Sequence, residues 1–177
     1  MTALAKRITD LRESATIKMA QLSRELKQQG KDIIDLSLGE PDFDTPEHIR
    51  ESAKKAIDDG FSHYTAVNGI VELREAVCHK FKRDNNLDYE PDQIVVSTGA
   101  KQSLANLMLC LVNPGDEVIL PCPYWVSYQS MVEIAQGTVV TIPTTVESRF
   151  KITAEQLEDT ITSKSKILVI NLSLIHI

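Results

Sequence analysis

A stretch near the middle of the chain combines backbone and side-chain groups that could hold an anion. The apolar, β-branched run Ile94–Val96 reads as a buried strand, Gly99 interrupts it, and Ala100–Met108 has the composition of a helix. A strand, a glycine and a helix start bring together free backbone N–H groups and the positive end of the helix dipole. Lys101 falls in the first helical turn, where a cation opposes that dipole unless an anion lies nearby. The pattern indicates an anion site, with a solvated lysine on an ordinary turn as the alternative.

A second group of residues could bind a flat ring. Aromatic residues make up only 5% of the chain, yet Tyr124, Trp125 and Tyr128 fall close together. They follow an apolar strand and the sequence Pro-Cys-Pro at 121–123, which in an α/β sheet is the edge where ligands bind. The single tryptophan could stack there on a heteroaromatic ring, with a core tryptophan at a helix start as the alternative.

Three further residues could contact a ligand, and each has a simpler alternative. Gly39 follows a predicted strand and could let a substrate approach the backbone, or it could only shape a turn. Tyr64 lies on a loop and could serve as an amphipathic cover. Arg12 is an unpaired cation on a polar N-terminal arm, where it could simply be solvated.

Alternating apolar patterns predict the elements that must position these residues. Helices are predicted over 16–29, 46–59, 100–112 and 124–136, around Leu73, Val77 and Phe81, and after a capping box of Thr153 and Gln156. Strands are predicted over 32–36, 94–96, 117–120, 138–142 and 166–171. Strands that alternate with helices predict βαβ units, and hence an α/β fold with a parallel sheet covered on both faces.

Composition and motifs argue against several other classes of protein. A net charge of −6 offers no basic surface to a nucleic acid. The three cysteines and four histidines lack the spacing of a disulfide framework or a metal site, so no metal is expected. No Gly-x-x-x-x-Gly-Lys, Gly-x-Gly-x-x-Gly or Gly-x-Ser-x-Gly motif is present. The odd, scattered cysteines favour a reducing compartment, so a cytoplasmic location is expected. No apolar run has the length of a signal peptide or a membrane span.

Taken together, five motifs resemble those of the class I, fold-type I aminotransferases, which depend on pyridoxal 5'-phosphate. The likeness is greatest to the bacterial aspartate/prephenate aminotransferase branch and runs from about Ala3 to Asn171, under half of a full enzyme. The motifs are Gly-Glu-Pro-Asp-Phe-Asp-Thr-Pro at 39–46, Tyr64 with Gly69 and Glu72-Leu73-Arg74, Thr-Gly-Ala-Lys-Gln at 98–102, Asn-Pro-Gly-Asp-Glu-Val at 113–118, and Pro-Tyr-Trp-Val-Ser-Tyr at 123–128.

The resemblance implies the N-terminal part of the large domain of these transferases, a mixed, mainly parallel sheet with helices on both faces. The sheet is expected to be incomplete, with the strand at 167–170 lacking some neighbours. By this resemblance residues 1–45 are an arm, a helix and the first strand of the small domain and active-site lid. Residues 46–171 are part of the large cofactor domain, and residues 172–177 form a tail outside the family pattern.

The resemblance also assigns residues to the cofactor. Gly99, Ala100 and Lys101 would form part of the cup for its phosphate, mostly through backbone N–H groups. Trp125 would stack on the pyridine ring. Tyr64 would reach across a homodimer interface to the phosphate of the neighbouring subunit's cofactor.

Substrate contacts and the reaction follow from the same resemblance. Gly39 and Trp125 would contact the substrate, Gly39 near its carboxylate. Arg12 and Thr16 lie on a segment that closes over the site, where they would help to recognise a second carboxylate. The implied reaction moves an amino group from an amino acid such as aspartate or glutamate to a 2-oxo acid.

The end of the chain departs from the family pattern. The family continues from Asn171 into Asn-x-Pro-x-Asn-Pro-x-Gly, whereas here Ile175 stands at the second asparagine and no proline follows. The Schiff-base lysine, the aspartate facing the pyridine nitrogen and the arginine that grips the substrate lie beyond this point. No catalytic residue is therefore assigned, little turnover is expected from these 177 residues, and 172–177 is expected to be a truncation artefact.

Two alternatives to an aminotransferase stay open at this point. The first is another fold-type I enzyme, a C–S lyase or a synthase, because such enzymes have similar phosphate cups. The second is a non-catalytic α/β binding module, which would need a sheet that is complete within the chain.

Overall fold

The elements of the protein were located in a computed structural model that describes residues 4–11, 13–37, 39 and 41–171. The helices are α1 (Lys6–Thr9), α2 (Ala15–Gln28), α3 (Glu47–Asp58), α4 (Val71–Lys80), α5 (Gly99–Leu111), α6 (Ser127–Ile134) and α7 (Ala154–Thr160). The strands are β1 (Glu117–Pro121), β2 (Thr138–Ile142) and β3 (Ser165–Leu168). A π-helical turn, Phe81–Asn85, continues α4, and a short 3₁₀ helix covers Pro91–Gln93. Among these residues, no helix is both long enough and apolar enough to cross a membrane.

The chain forms two compact units. Of the described residues, the sheet unit combines those up to residue 37 with residues 100–171, and the helical unit consists of those between 39 and 99.

A small parallel sheet organises the sheet unit, in the strand order β2-β1-β3. β1 pairs with β2 from Glu117 opposite Thr138 to Pro121 opposite Ile142. On its other side β1 pairs with β3, with a register shift at its start. Val118, Ile119 and Leu120 are all buried, as expected of a central parallel strand that is covered on both faces. The predicted strands over 117–120 and 138–142 and the predicted parallel α/β fold are confirmed.

The main core of the sheet unit lies where two helices meet β1. The buried residues that form it come from α5, β1 and α6 and its last turn: Met108, Val112, Val118, Leu120, Tyr128, Met131, Val132 and Ala135. The turn from α5 into β1 is closed locally, because the Asp116 carboxylate accepts the Asn113 backbone N–H at 2.8 Å. That hydrogen bond lowers the pKa of Asp116.

The helical unit is held together around Arg74. Its guanidinium donates from Nε to the Gly69 carbonyl at 3.1 Å and from Nη1 to the Pro91 carbonyl at 2.6 Å. Gly69 has a φ of +98°, and a Cβ there would lie 2.7 Å from Val96 Cγ2. Only glycine allows both this backbone conformation and this close approach to Val96. The approach and the Arg74 hydrogen bond together hold the end of the loop over 61–70 against the rest of the unit.

Two predicted strands are wrong. Residues 32–36 are irregular, and Ile34 and Leu36 are 87% and 91% exposed. Here the Asp35 carboxylate accepts hydrogen bonds from the Ser37 N–H and hydroxyl at 3.1 and 2.6 Å, which turns the backbone away from an extended ladder. Residues 94–96 are likewise outside any described strand, although the Val96 N–H donates to the Asn68 carbonyl at 3.1 Å. Apolar β-branched residues form a strand only where a neighbour pairs with them.

The helix predicted over 124–136 is shorter at both ends. It begins at Ser127, because the Tyr128 N–H donates to the Trp125 carbonyl in a tight turn. It ends at Ile134, and Gln136 rather than Gly137 adopts the left-handed conformation, with a φ of +64°. A Cβ at residue 137 would lie 2.5 Å from Val112 Cγ1, so this glycine serves close packing.

We expect Gly137→Ala to destabilise the protein by about 1–3 kcal/mol, the usual cost of overpacking a core. The measurement is urea unfolding of Gly137→Ala, Val112→Ala and the double variant. Because Val112→Ala removes the Cγ atom that the new methyl group meets, the double variant should be more stable than the sum of the single effects predicts. Strict additivity would show that the two positions do not pack against each other.

Asp35 gives a prediction about pH. Its pKa is lowered from 3.8 to about 2, and the hydrogen bonds from the Ser37 hydroxyl and the Ser37 N–H are the two largest causes. The folded pKa is thus below the unfolded value, so the stabilisation is present above about pH 4 and is lost as the pH falls towards 2. In a carboxyl NMR titration, Ser37→Ala should raise the Asp35 midpoint towards 3.8, while Ser52→Ala, a remote control, should not. An unchanged midpoint in Ser37→Ala would refute this cause.

Candidate functional site

The start of α5 has the open space and the N–H groups that an anion requires. Gly99 has a φ of +80°, and no atom lies within 4 Å of the place that a Cβ would take. The Gly99 N–H itself donates to the Ser97 carbonyl at 2.8 Å. The N–H groups of Ala100 and Lys101 follow in the first turn, where the helix provides no acceptor for them. For an anion bound here, Gly99 would contribute the missing side chain, and the next two residues would contribute the donors.

Lys101 connects this helix start to the aromatic cluster. Its Nζ lies 4.9 Å from the centroid of the Trp125 ring, a cation–π contact. Lys101 is exposed and Trp125 is half-buried. The structure thus brings together two features that the sequence indicated separately, the anion site and the flat ring. It also gives the cation in the first turn a favourable neighbour.

Trp125 is held from within the unit by Tyr128. The two rings meet edge to face, with centroids 5.5 Å apart and an interplanar angle of 89°. Tyr128 is buried in the core, and its hydroxyl donates to Asn171 Oδ1 at 3.1 Å. Trp125 packs against the same core and keeps part of its surface exposed. It is therefore both a core residue and a residue open to a ligand.

Tyr124 takes part in a different network. Its hydroxyl donates to Gln129 Oε1 at 3.1 Å, and Gln129 Nε2 donates to Glu133 Oε1 at 2.8 Å. Burial raises the pKa of the Tyr124 phenol, and electrostatic interactions with Cys122 and Glu133 raise it further. Tyr124 therefore stays a neutral donor at physiological pH and is bound within the turn that begins α6.

The other residues that the sequence singled out lie elsewhere. Thr16 is half-buried on α2 and lines a groove of about 510 Å³ with mostly apolar neighbours. Gly39 is exposed in the helical unit, with open space at its Cβ position. Tyr64, in the same unit, is fully exposed beside a groove of about 610 Å³. Arg12 and residues 172–177 lie outside the described residues.

One residue of this site was not singled out from the sequence. Asn171 lies just beyond β3 and meets Tyr128, which is 43 positions earlier in the chain. Its place at the carboxyl end of a strand was a usable signal, because ligands of α/β sheets bind at that edge. Within the described part of the chain, no group of three or more His, Cys, Asp or Glu residues is arranged to hold a metal ion.

The comparison with protein families decides what kind of protein has this arrangement. Residues 31–172 match the family model described as aminotransferase class I and II. The chain belongs to this family. The resemblance drawn from the five motifs is thus confirmed.

Similar aminotransferases agree with this assignment. The chain is 50% identical over 171 residues to the probable aspartate/prephenate aminotransferase of Rickettsia conorii, covering 97% of this chain and 43% of that protein. It is 49% identical to the aspartate/prephenate aminotransferase of Cereibacter sphaeroides, with the same coverage. The chain therefore spans less than half the length of these curated relatives.

Solved structures show the same fold. An aspartate aminotransferase from Rhizobium meliloti superposes with a TM-score of 0.89 at 45% identity, covering 95% of this chain and 42% of that one. The aspartate aminotransferase of Thermus thermophilus with maleate gives a TM-score of 0.92 at 44% identity, covering 96% and 44% of the two chains. The predicted fold class, part of an aminotransferase domain with an incomplete sheet, is confirmed.

The family implies pyridoxal 5'-phosphate, and the chemistry of the site fits this cofactor. The phosphate needs N–H donors and positive charge, which the first turn of α5 and Lys101 provide. The open space at Gly99 would be taken up by a side chain. The pyridine ring needs a flat apolar surface, which the half-buried indole of Trp125 provides.

Gly99→Ala tests the fit at the phosphate end. Gly115→Ala is a matched control, because Gly115 also has a positive φ, +91°, with open space around it, but lies in the turn before β1. Both changes should cost about 1–2 kcal/mol in unfolding experiments, because an L-residue resists that backbone conformation. Only Gly99→Ala should weaken binding of pyridoxal 5'-phosphate, because the new methyl group would keep the phosphate away from the N–H groups of Ala100 and Lys101. The expected effect is about tenfold, equivalent to one charge-assisted hydrogen bond. Equal affinities in the two variants would argue against a phosphate site here.

Proposed function

We propose that the protein is a pyridoxal-phosphate-dependent aminotransferase that moves an amino group from an amino acid such as aspartate or glutamate to a 2-oxo acid. The observation that carries the proposal is the contact between Lys101, at the start of α5, and Trp125, in a chain of this family. A cytoplasmic location and a homodimeric assembly are part of the proposal. The cofactor, when bound, supplies the electron sink that the transfer requires.

The first turn of α5 would hold the phosphate of the cofactor. The N–H groups of Ala100 and Lys101 point out of the helix end, and the dipole favours a negative group there. Gly99 leaves room for the phosphate to approach the backbone. Lys101 would add a positive charge while its ammonium stays close to Trp125.

Trp125 would orient the ring of the cofactor. Its indole is a rigid plane, and offset stacking on a pyridine ring fixes the height and tilt of that ring. Tyr128 supports the indole from the core side, so the plane is set before a ligand arrives. A ring held at one angle presents the same face to each substrate, which is how orientation contributes to rate.

For the substrate, a dicarboxylic amino acid is favoured by what is known of similar proteins. The relatives are described as aspartate/prephenate or aspartate aminotransferases, and one similar structure contains maleate, which has two carboxylates. Gly39, exposed and without a side chain, would allow one carboxylate to approach the backbone. Thr16 and Arg12 would help to bind the second.

A homodimer is supported by the loop over 61–70. Its aromatic and apolar side chains, Phe61, Tyr64 and Val67, are exposed. At its end, Gly69 is fixed by the Arg74 hydrogen bond and by its close approach to Val96. An anchored loop that exposes apolar side chains is suited to contact a second copy, and we propose that Tyr64 reaches the cofactor phosphate of that copy.

The proposal is tested by the emission of Trp125, the single tryptophan of the chain. Pyridoxal 5'-phosphate should quench this emission in a saturable way, because the ring would lie against the indole. Pyridoxal, which lacks the phosphate, should bind at least about tenfold more weakly, because it forms none of the charge-assisted hydrogen bonds at α5. Equal affinity for the two compounds, or no saturable quenching, would overturn the proposal.

A turnover assay belongs to the same test. With pyridoxal 5'-phosphate, aspartate and 2-oxoglutarate, we expect the 177-residue chain to turn over far more slowly than the full-length Cereibacter sphaeroides relative. The residues described here bind and orient, and none of them is assigned a proton-transfer role. Turnover close to that of the relative would show that a reactive group is present among these residues.

A further inference from the structure

The hydrogen bond between Tyr128 and Asn171 has no part in the roles proposed above, although Tyr128 contacts Trp125 edge to face. The Tyr128 hydroxyl donates to Asn171 Oδ1 at 3.1 Å. Tyr128 is 9% exposed and belongs to the core, and Asn171 is half-buried. A buried phenol hydroxyl needs a hydrogen-bond partner, because burial removes its hydrogen bonds to water.

Tyr128 restrains the indole of Trp125 more than Lys101 does. Trp125 contacts two residues, the exposed Lys101 and the buried Tyr128. The lysine is exposed and its four-carbon stem is flexible, so it follows the indole and does not fix it. Tyr128 packs in the core with Met131 and Val132, and the planes of its ring and the indole are almost perpendicular. The Tyr128 ring therefore restrains the indole of Trp125 more than the lysine does.

Asn171 in turn is fixed to the sheet. The Val169 N–H donates to the Ile119 carbonyl at 3.0 Å, which extends the bonding to β1 past the last residue of β3. Asn171 follows two residues later, so its backbone starts from the edge of the sheet. The hydrogen bond consequently joins α6 to the carboxyl end of β3, across the edge where ligands of α/β sheets bind.

We infer that Tyr128 and Asn171 are positioning residues, and that their hydrogen bond sets the plane of the Trp125 indole on which a flat cofactor ring stacks. That the stacked ring belongs to pyridoxal 5'-phosphate rests on the proposed function. That the hydrogen bond positions the Trp125 indole does not depend on it.

The experiment compares two tyrosines of the same segment in the full 177-residue chain. Tyr128→Phe removes the hydroxyl that reaches Asn171, and Tyr124→Phe removes a hydroxyl bonded to Gln129 at the same distance, 3.1 Å. Both keep the aromatic ring. Asn171→Ala and the double variant Tyr128→Phe/Asn171→Ala complete a cycle for the pair. Acrylamide quenching and near-ultraviolet circular dichroism of Trp125 report on the indole without a ligand, and quenching by pyridoxal 5'-phosphate gives the affinity.

We expect Tyr128→Phe to raise the acrylamide quenching constant about twofold and to weaken binding of pyridoxal 5'-phosphate about fivefold, the effect of one neutral hydrogen bond. Asn171→Ala should do the same, and the double variant should be no worse than either single variant. Tyr124→Phe should match the parent chain in both measurements.

Other outcomes overturn the inference. Identical behaviour of Tyr128→Phe and Tyr124→Phe would do so, as would effects that multiply in the double variant. A more accessible indole with unchanged affinity would also refute the positioning role. If the parent chain does not bind pyridoxal 5'-phosphate, the proposed function fails, and the acrylamide and dichroism comparisons still decide whether the pair fixes the indole. Should Tyr128→Phe not fold, Asn171→Ala against Tyr124→Phe provides the same decision.

Discussion

The burial of β1 between two parallel neighbours is the constraint on which the rest of the sheet unit depends. The strand pairs on both sides, and Val118, Ile119 and Leu120 are all buried. Its start is fixed because Glu117 accepts hydrogen bonds from the hydroxyls of Thr162 and Ser165 at 2.6 and 3.2 Å. The chain enters β1 from α5 and leaves it towards Trp125, so both halves of the site are placed relative to one strand.

Lys101 at the start of α5 and Trp125 stabilise each other. A lysine in the first turn of a helix is locally unfavourable, and a half-buried tryptophan next to a helix start leaves apolar surface uncovered. In the structure the ammonium of Lys101 lies over the indole of Trp125, which relieves both. Two local inconsistencies that resolve into one contact are typical of a functional site, where sequences deviate from the rules that stabilise a fold alone.

Features that depend on near neighbours were predictable from the sequence. The turn over Asn113–Asp116 and the capping box of Thr153 and Gln156 are closed by groups three residues apart, and both are present. The strand predictions at 32–36 and 94–96 failed because a strand is defined by its partner, which the local sequence does not reveal. In the same way Lys101 and Trp125 were identified singly, while their contact depends on how β1 brings α5 and the turn before α6 together. Asn171 was missed as a site residue because its partner lies 43 positions away.

That separation sets a limit on what the Tyr128–Asn171 hydrogen bond can do. Closing a loop of 43 residues costs about 3 kcal/mol in chain entropy, whereas a neutral hydrogen bond returns about 1 kcal/mol. The hydrogen bond is therefore too weak to bring Tyr128 and Asn171 together by itself. The pairing of β3 with β1 must first bring the two ends together, after which the hydrogen bond only selects among arrangements that the sheet already allows. The geometry around Trp125 therefore depends on the pairing of β3 with β1.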